Sequence, residues 1–177
     1  MTGPTIPTER LLLRRWKDDD LDAFAAMSAD CEVMRFIGDG GTRTREQCAR
    51  TIRNFELEWD EKGYGLFALE LRDSGEFIGF TGLSDPDFLP EVMPAVEIGW
   101  RLARAHWGKG YATEAARAAL AFGLEDRALP AIVSIFQAGN DGSRRIIEKL
   151  GMERDRLTID PTCGRPVEVY RTLEGAE

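Results

Sequence analysis

From Ala95 to Gln137 the chain passes through a β-type run, a glycine turn, an alanine-rich helical stretch and a second β-type run. Two strands joined through a helix lie parallel in one sheet, because only a crossover of that length carries the chain back to start the second strand in the same direction. The segment before it has a different character. Tyr64–Leu71 and Phe77–Leu83 are short β-type runs joined by Asp73-Ser-Gly75, which predicts an antiparallel hairpin. The expected fold is therefore a mixed α/β domain: a mostly antiparallel central sheet, flanked by helices, with one parallel βαβ crossover.

Around this centre the elements follow from local signals. Thr8-Glu-Arg-Leu-Leu-Leu-Arg-Arg-Trp16 reads as an opening strand, and Asp18-Asp-Asp suits the positive end of a helix that runs to about Asp30 and buries Leu21, Phe24 and Met27. After a Gly38-Asp-Gly-Gly41 loop, Thr44-Arg-Glu-Gln47 matches a capping box. Cys48, Ile52, Phe55 and Trp59 then recur at helical spacing until Gly63. In the crossover helix, placed over about Thr113–Leu124, Ala112, Ala115, Ala116 and Ala119 lie on nearby turns, so this helix can approach a sheet closely. A short helix at about Ser143–Leu150 precedes two final strands, Met152–Ile159 and Val167–Thr172, around the turn Asp160-Pro-Thr-Cys-Gly164. With 177 residues and neither a repeat nor a linker, one domain over 1–177 is expected.

Composition narrows the function classes. Twenty-three basic against thirty-one acidic residues give a formal charge of −8, so no general field attracts phosphate backbones and a nucleic-acid partner is disfavoured. His106 is the only histidine, which excludes a His-rich metal site; no metal is expected. Cys31, Cys48 and Cys163 are odd in number and widely spaced, as in a reducing compartment, with Cys31 and Cys48 read as core thiols and Cys163 as a surface loop thiol. No apolar run has membrane-spanning length, and Met1 to Pro7 lacks a basic-then-apolar signal pattern. A soluble, cytoplasmic protein with no membrane partner is expected.

The candidate chemistry sits at the crossover. A helix whose first turn follows glycines presents unpaired backbone N–H groups that bind phosphate oxygens, and Gly108-Lys-Gly-Tyr-Ala112 is such a place, where Lys109 adds a cation. It is not a Walker loop, because Gly110 follows Gly108-Lys109 where Ser or Thr is not reached at the required spacing. Nor is it a Rossmann fingerprint, because position 113 is threonine. On the strand just before, Val96, Ile98, Trp100 and Leu102 share one face and Glu97, Gly99 and Arg101 the other, so a carboxylate points away from the large apolar side chains.

The order of elements, with Val96-Glu-Ile-Gly-Trp100, His106-Trp-Gly-Lys-Gly-Tyr-Ala-Thr-Glu-Ala115 and Asn140-Asp-Gly-Ser-Arg-Arg-Ile-Ile-Glu-Lys-Leu-Gly-Met152, resembles the GNAT superfamily of N-acetyltransferases. With the opening Thr8–Trp16 run, it is most similar to the RimJ/RimL-type branch. The resemblance implies that the pyrophosphate of acetyl-coenzyme A is gripped by Trp107, Gly108, Lys109, Gly110, Tyr111, Ala112 and the backbone of Thr113. Trp107 stands where the superfamily has Gln or Arg. It also implies pantetheine beside the strand ending at Leu102, with Asn140 and Ser143 on its far side. The superfamily's tyrosine acid falls on Ile147, which has no proton to give, leaving Ser143 or water.

The implied reaction is direct attack of a neutral amine on the thioester in a ternary complex. Deprotonating a lysine-type amine at pH 7 costs about 4–5 kcal/mol, against about 1 kcal/mol for an α-amine. Glu97 is the candidate base, with a structural carboxylate paired to Arg101 as the rival reading. The acceptor pocket implied by the resemblance lies at about 36–44 and 160–166, including Asp39, Asp160 and Arg165. The favoured acceptor is a protein or peptide N-terminal amine, ahead of small-molecule amines and polyamines, with the protein a monomer or homodimer. The alternative is a non-catalytic acyl-coenzyme A sensor or partner-binding module on the same fold.

Overall fold

The computed structural model describes residues 3–173; residues 1–2 and 174–177 of the expected domain lie outside the described residues. Local signals set most element boundaries. Helix α3 (Arg45–Lys62) starts at Thr44, whose hydroxyl accepts the Gln47 N–H at 3.2 Å while the Gln47 side chain accepts the Thr44 N–H at 2.8 Å, the reciprocal arrangement expected of a capping box. It ends at Gly63, left-handed at φ 72°.

Helix α1 (Asp20–Ala29) starts within the acidic run, but Asp20 does more than face the helix dipole. Its carboxylate takes both Arg14 Nη groups, at 2.7 and 2.8 Å, and the Lys17 N–H at 2.8 Å. The helix stops at Asp30, whose carboxylate accepts the Glu32 N–H at 2.9 Å and starts a separate single turn, α2 (Cys31–Met34). That break turns Cys31 outward. It is exposed rather than a core thiol, whereas Cys48 is buried as expected.

Among the described residues eight strands form one sheet: β1 (Ile6–Pro7), β2 (Leu11–Arg14), β3 (Leu66–Leu71), β4 (Phe77–Ser84), β5 (Val96–Leu102), β6 (Ile132–Gln137), β7 (Glu153–Ile159) and β8 (Pro166–Arg171). Their spatial order is β1-β2-β3-β4-β5-β6-β8-β7, antiparallel at every pair except the parallel β5/β6. The crossover helix α4 (Tyr111–Ala121) lies on β4 and β5 through Ala115, Ala116 and Ala119, each fully buried, and continues into a π-helical turn, Phe122–Asp126. Helix α5 (Asp141–Lys149) covers β6 on the same side.

The opposite face carries α1 and α3, packed through Phe24, Met27, Cys48 and Phe55 against Leu66, Ala68 and Phe80. Gly79 of β4 runs at φ 149°, and a Cβ there would stand 2.2 Å from the Arg101 carbonyl of β5. Only glycine permits the two strands to come this close.

Parallel pairing between β5 and β6 is brief: Val96 opposes Ile132 and Glu97 opposes Val133. The Ser134 hydroxyl then donates to the Ile98 carbonyl at 3.0 Å, and beyond it the strands part, β6 pairing with β8 on its other side. The sheet thus opens at its middle, beside the C-terminal half of β5.

Candidate active site

A cleft of about 530 Å³ lies at this opening, lined by the end of β5, the turn leading into α4, the first turns of α5, and α2 with the chain after it. The turn is shaped by two left-handed glycines, Gly108 at φ 72° and Gly110 at φ 82°, the latter being the N-cap of α4. The N–H groups of Gly108 to Thr113 find no backbone acceptor among the described residues. Six donors concentrated at a helix start give a local positive potential without depending on basic side chains.

A long-range brace holds the turn in place. Arg10 donates through Nη1 to the Lys109 carbonyl at 2.8 Å and through Nε to Glu114 at 2.7 Å, and its guanidinium carbon stands 4.5 Å from the Tyr111 ring centre. Burial pushes the Glu114 carboxyl up, but hydrogen bonds from Thr8 and Arg10 outweigh it and hold it below its ordinary value. Replacing Gly110 by alanine forces a side chain into φ 82° with its Cβ 3.4 Å from Arg10. The strain is about 1–2 kcal/mol. Gly110→Ala is expected to lower thermal stability by about that amount, and the displaced amides should weaken binding of a diphosphate ligand at least about 5-fold, by the conversion of 1.4 kcal/mol per factor of ten. Titration calorimetry with coenzyme A checks the second effect.

Most of the residues expected at the site converge on the cleft: Leu102, Trp107, Gly108, Gly110, Tyr111, Ala112, Thr113, Asn140 and Ser143 all line it. Lys109 does not; its side chain is exposed and its carbonyl serves the Arg10 brace. The Trp107 indole N–H folds back onto the Leu102 carbonyl at 2.9 Å, tying the turn to the end of β5. Asn140 caps α5, its side-chain oxygen accepting the Ser143 N–H at 3.2 Å. The Ser143 hydroxyl makes no hydrogen bond among the described residues and is half-buried at the cleft wall. Ile147, where the resemblance places a tyrosine in other members, is fully buried in the core, and the neighbouring Ile146 faces the cleft.

Glu97 stands at the point where β5 and β6 part, half-buried and outside the cleft lining. Desolvation pushes its carboxyl up to about 8, against a smaller opposing effect of a hydrogen bond from the Ile135 backbone. It forms no ion pair among the described residues, so the reading of a carboxylate paired with Arg101 does not hold. The two lie four residues apart on an extended strand, about 13 Å along it, too far for direct contact between their backbones and with only Gly99 between them on that face.

The loops expected to bound the acceptor pocket do meet. Arg165 donates to the Arg35 carbonyl at 3.1 Å, to Gln137 at 3.1 Å and to the Asp39 carbonyl at 2.6 Å. Asp160 is locked inside its turn: burial pushes its carboxyl up, yet hydrogen bonds from Thr162 and Cys163 hold it below its usual range. Sequence reasoning passed over several cleft residues. Arg145 and Lys149 were legible, since a spacing of four puts both on one face of α5; Arg101 was seen only as a partner for Glu97.

Residues 10–153 match the model of the acetyltransferase (GNAT) domain family. The chain is similar to the YkkB protein of Bacillus subtilis, 35% identical over 166 residues that cover 92% of both chains. It is similar to the crystal structure of an acetyltransferase from Agrobacterium tumefaciens, 29% identical with a TM-score of 0.82, over 98% of this chain and 96% of that one. RimL, a ribosomal-protein α-N-acetyltransferase solved in complex with coenzyme A, has the same fold at 13% identity and a TM-score of 0.77, over 96% of this chain and 98% of that one. The family match spans the brace at Arg10, the amide-lined turn and the cap of α5 together, the parts from which the cleft is built. The chain belongs to the GNAT family of acetyltransferases.

Proposed function

We propose that this chain, as a single domain over 1–177, transfers acetyl from acetyl-coenzyme A to a primary amine by direct attack in a ternary complex. The observation that carries the reading is the set of free N–H groups at Gly108–Thr113, opening into a cleft walled by the end of β5 and by α5. A diphosphate fits that cradle: a Cβ on Gly108 would meet nothing within 4 Å, so the turn is open to a ligand. Acetyl-coenzyme A, when bound, supplies an activated thioester. Trp107, Leu102, Asn140 and Ser143 wall the path from the turn toward the sheet opening, and Lys109 adds screened charge at its mouth.

Glu97 takes the proton from the incoming amine through water, since it lies outside the cleft lining, on the face of β5 that it shares with Arg101 of the cleft wall. A base near 8 accepts a proton from an α-amine of similar pKa nearly evenly, but from a lysine-type amine near 10.4 only about 3 kcal/mol uphill. This favours a protein or peptide N-terminal amine, with small-molecule amines and polyamines as the rivals. The unengaged Ser143 hydroxyl is the donor placed to stabilise charge developing on sulfur, because neither Ile146 nor Ile147 has a proton to give. The opening Thr8–Trp16 run and the Trp-Gly-Lys-Gly-Tyr-Ala turn support placement in the RimJ/RimL-type branch, and three free cysteines support a reducing, cytoplasmic setting.

Two measurements test the reading. Calorimetry is expected to give micromolar-range binding of acetyl-coenzyme A and of coenzyme A, and no binding at millimolar concentration overturns it. A panel of amines, followed by thiol release and by mass of the product, is expected to show acetylated α-amines; acetyl-coenzyme A binding without transfer to any amine would favour the sensor reading.

A further inference from the structure

Arg101 is a cation without a counterion. Its Nε is buried and has no hydrogen-bond partner, and no carboxylate among the described residues pairs with it. Around the guanidinium stand the Phe80 ring, with its centre 5.1 Å away, and the Met34 sulfur, 3.6 Å from Nη1. The largely buried Arg14 and Arg15 behave differently: Arg14 is matched to Asp20 and Glu70, Arg15 to Glu56 and Asp60.

Burial first, and then the nearby positive charge of Arg43, bring the Arg101 pKa down to about 10, against an opposing effect from Cys48. The group therefore stays charged at neutral pH, in a mostly apolar setting, within the wall of the cleft. A desolvated, unpaired charge destabilises a fold unless something compensates it. The compensation available here is a ligand.

Glu97 and Arg101 share one face of β5, and the residue between them on that face is Gly99, where a Cβ would meet nothing within 4 Å. A strip of bare backbone thus separates the proposed base from the unpaired cation, about 13 Å along the strand. We propose that the amine acceptor carries an anionic group, a carboxylate several bonds from its amine, which seats on Arg101 while the amine lies toward Glu97. This rests on the transferase reading for the amine end alone. Two sources offer that chemistry: the free carboxylate of a dipeptide-sized amine, and the acidic side chain near the N-terminus of a peptide. A planar carboxylate matches the two parallel N–H donors of a guanidinium, which an ammonium at the same place does not reproduce.

The test compares matched pairs: dialanine with dialanine amide, and Ala-Asp-Ala amide with Ala-Asn-Ala amide. Each is titrated by calorimetry into protein saturated with coenzyme A, then assayed for turnover with acetyl-coenzyme A. The expected result is at least about 10-fold tighter binding for the charged member of one pair, a difference typical of a charge-assisted hydrogen bond; which pair shows it identifies the source. Arg101→Met is expected to remove the preference and leave coenzyme A affinity and melting temperature at or above those of the parent. Arg101→Lys is expected to keep part of the preference, and serves if the methionine variant does not fold.

Equal binding within both pairs, no binding by any of the four, or a preference that survives Arg101→Met overturns the proposal. So does a loss of coenzyme A affinity in Arg101→Met, which would assign the cation to the cosubstrate. Charge-selective binding without turnover supports the anion subsite and counts against the transferase reading; turnover without selectivity does the reverse.

Discussion

Glu97→Gln is expected to lower kcat/KM at neutral pH by about 10²- to 10³-fold, the usual contribution of a positioned general base, while coenzyme A affinity stays unchanged. The parent enzyme should show kcat/KM rising with pH up to about 8, because only the ionised form of Glu97 accepts a proton and its carboxyl is pushed up to about 8. In the variant the contribution of that ionisation disappears, leaving only the titration of the amine itself. Stability should move the other way. A carboxyl with a folded pKa of about 8 against a reference of 4.5 binds more protons when folded between those values, so its unfavourable contribution sets in as pH rises from 4.5 and is complete above 8. Glutamine removes the ionisation, and the variant should melt above the parent at pH 8 and no higher than it at pH 5. A variant with the parent's rate, where chemistry limits turnover, would take Glu97 out of the mechanism.

Phe24→Ala is expected to cost about 3–5 kcal/mol of folding free energy, as for a large aromatic side chain removed from a packed core. Phe24 is 2% exposed, and its ring lies 5.1 Å from Trp16 and 6.0 Å from Phe80, centre to centre. The cluster fastens α1 and α3 to the sheet beneath the part of the cleft that Arg101 lines, since Phe80 also packs against Arg101. At roughly 2–4 °C per kcal/mol for a chain of this size, the melting temperature should fall by about 6–20 °C. Urea denaturation without ligand measures it, and a loss below about 1 kcal/mol would mean that the cluster collapses to fill the gap. Phe24→Leu, which keeps most of the volume, should lose much less.

Much of the fold was legible because it rests on signals that act within a few residues. Thr44 and Gln47 cap α3 in the manner that their spacing predicts, Gly63 ends it, and Asp73-Ser-Gly75 joins β3 to β4. The strand, turn, helix and strand from Ala95 to Gln137 became the single parallel pair of the sheet. Some boundaries shifted, one of them for a local reason, the Asp30 carboxylate capping the Glu32 N–H. The opening strand shortened to Leu11–Arg14, and the first helix broke at Asp30, which is why Cys31 left the core.

The candidate site divides in the same way. The amide-lined turn could be read from Gly108, Gly110 and the helix behind them, because φ freedom and unpaired N–H groups are properties of the local chain. The face of β5 that carries Glu97 and Arg101 followed from alternation alone. What no local rule gives is the environment of those two side chains. Whether Glu97 is desolvated and whether Arg101 finds a counterion depend on what other segments bring alongside. Met34 reaches Arg101 from 67 residues away in the chain, and Arg10 braces Lys109 from 99. Local chain signals account for most of the elements, their order and the amide-lined turn; neighbours in space decide which charges are desolvated and which are left unpaired, because desolvation and ion pairing depend on what other segments bring alongside.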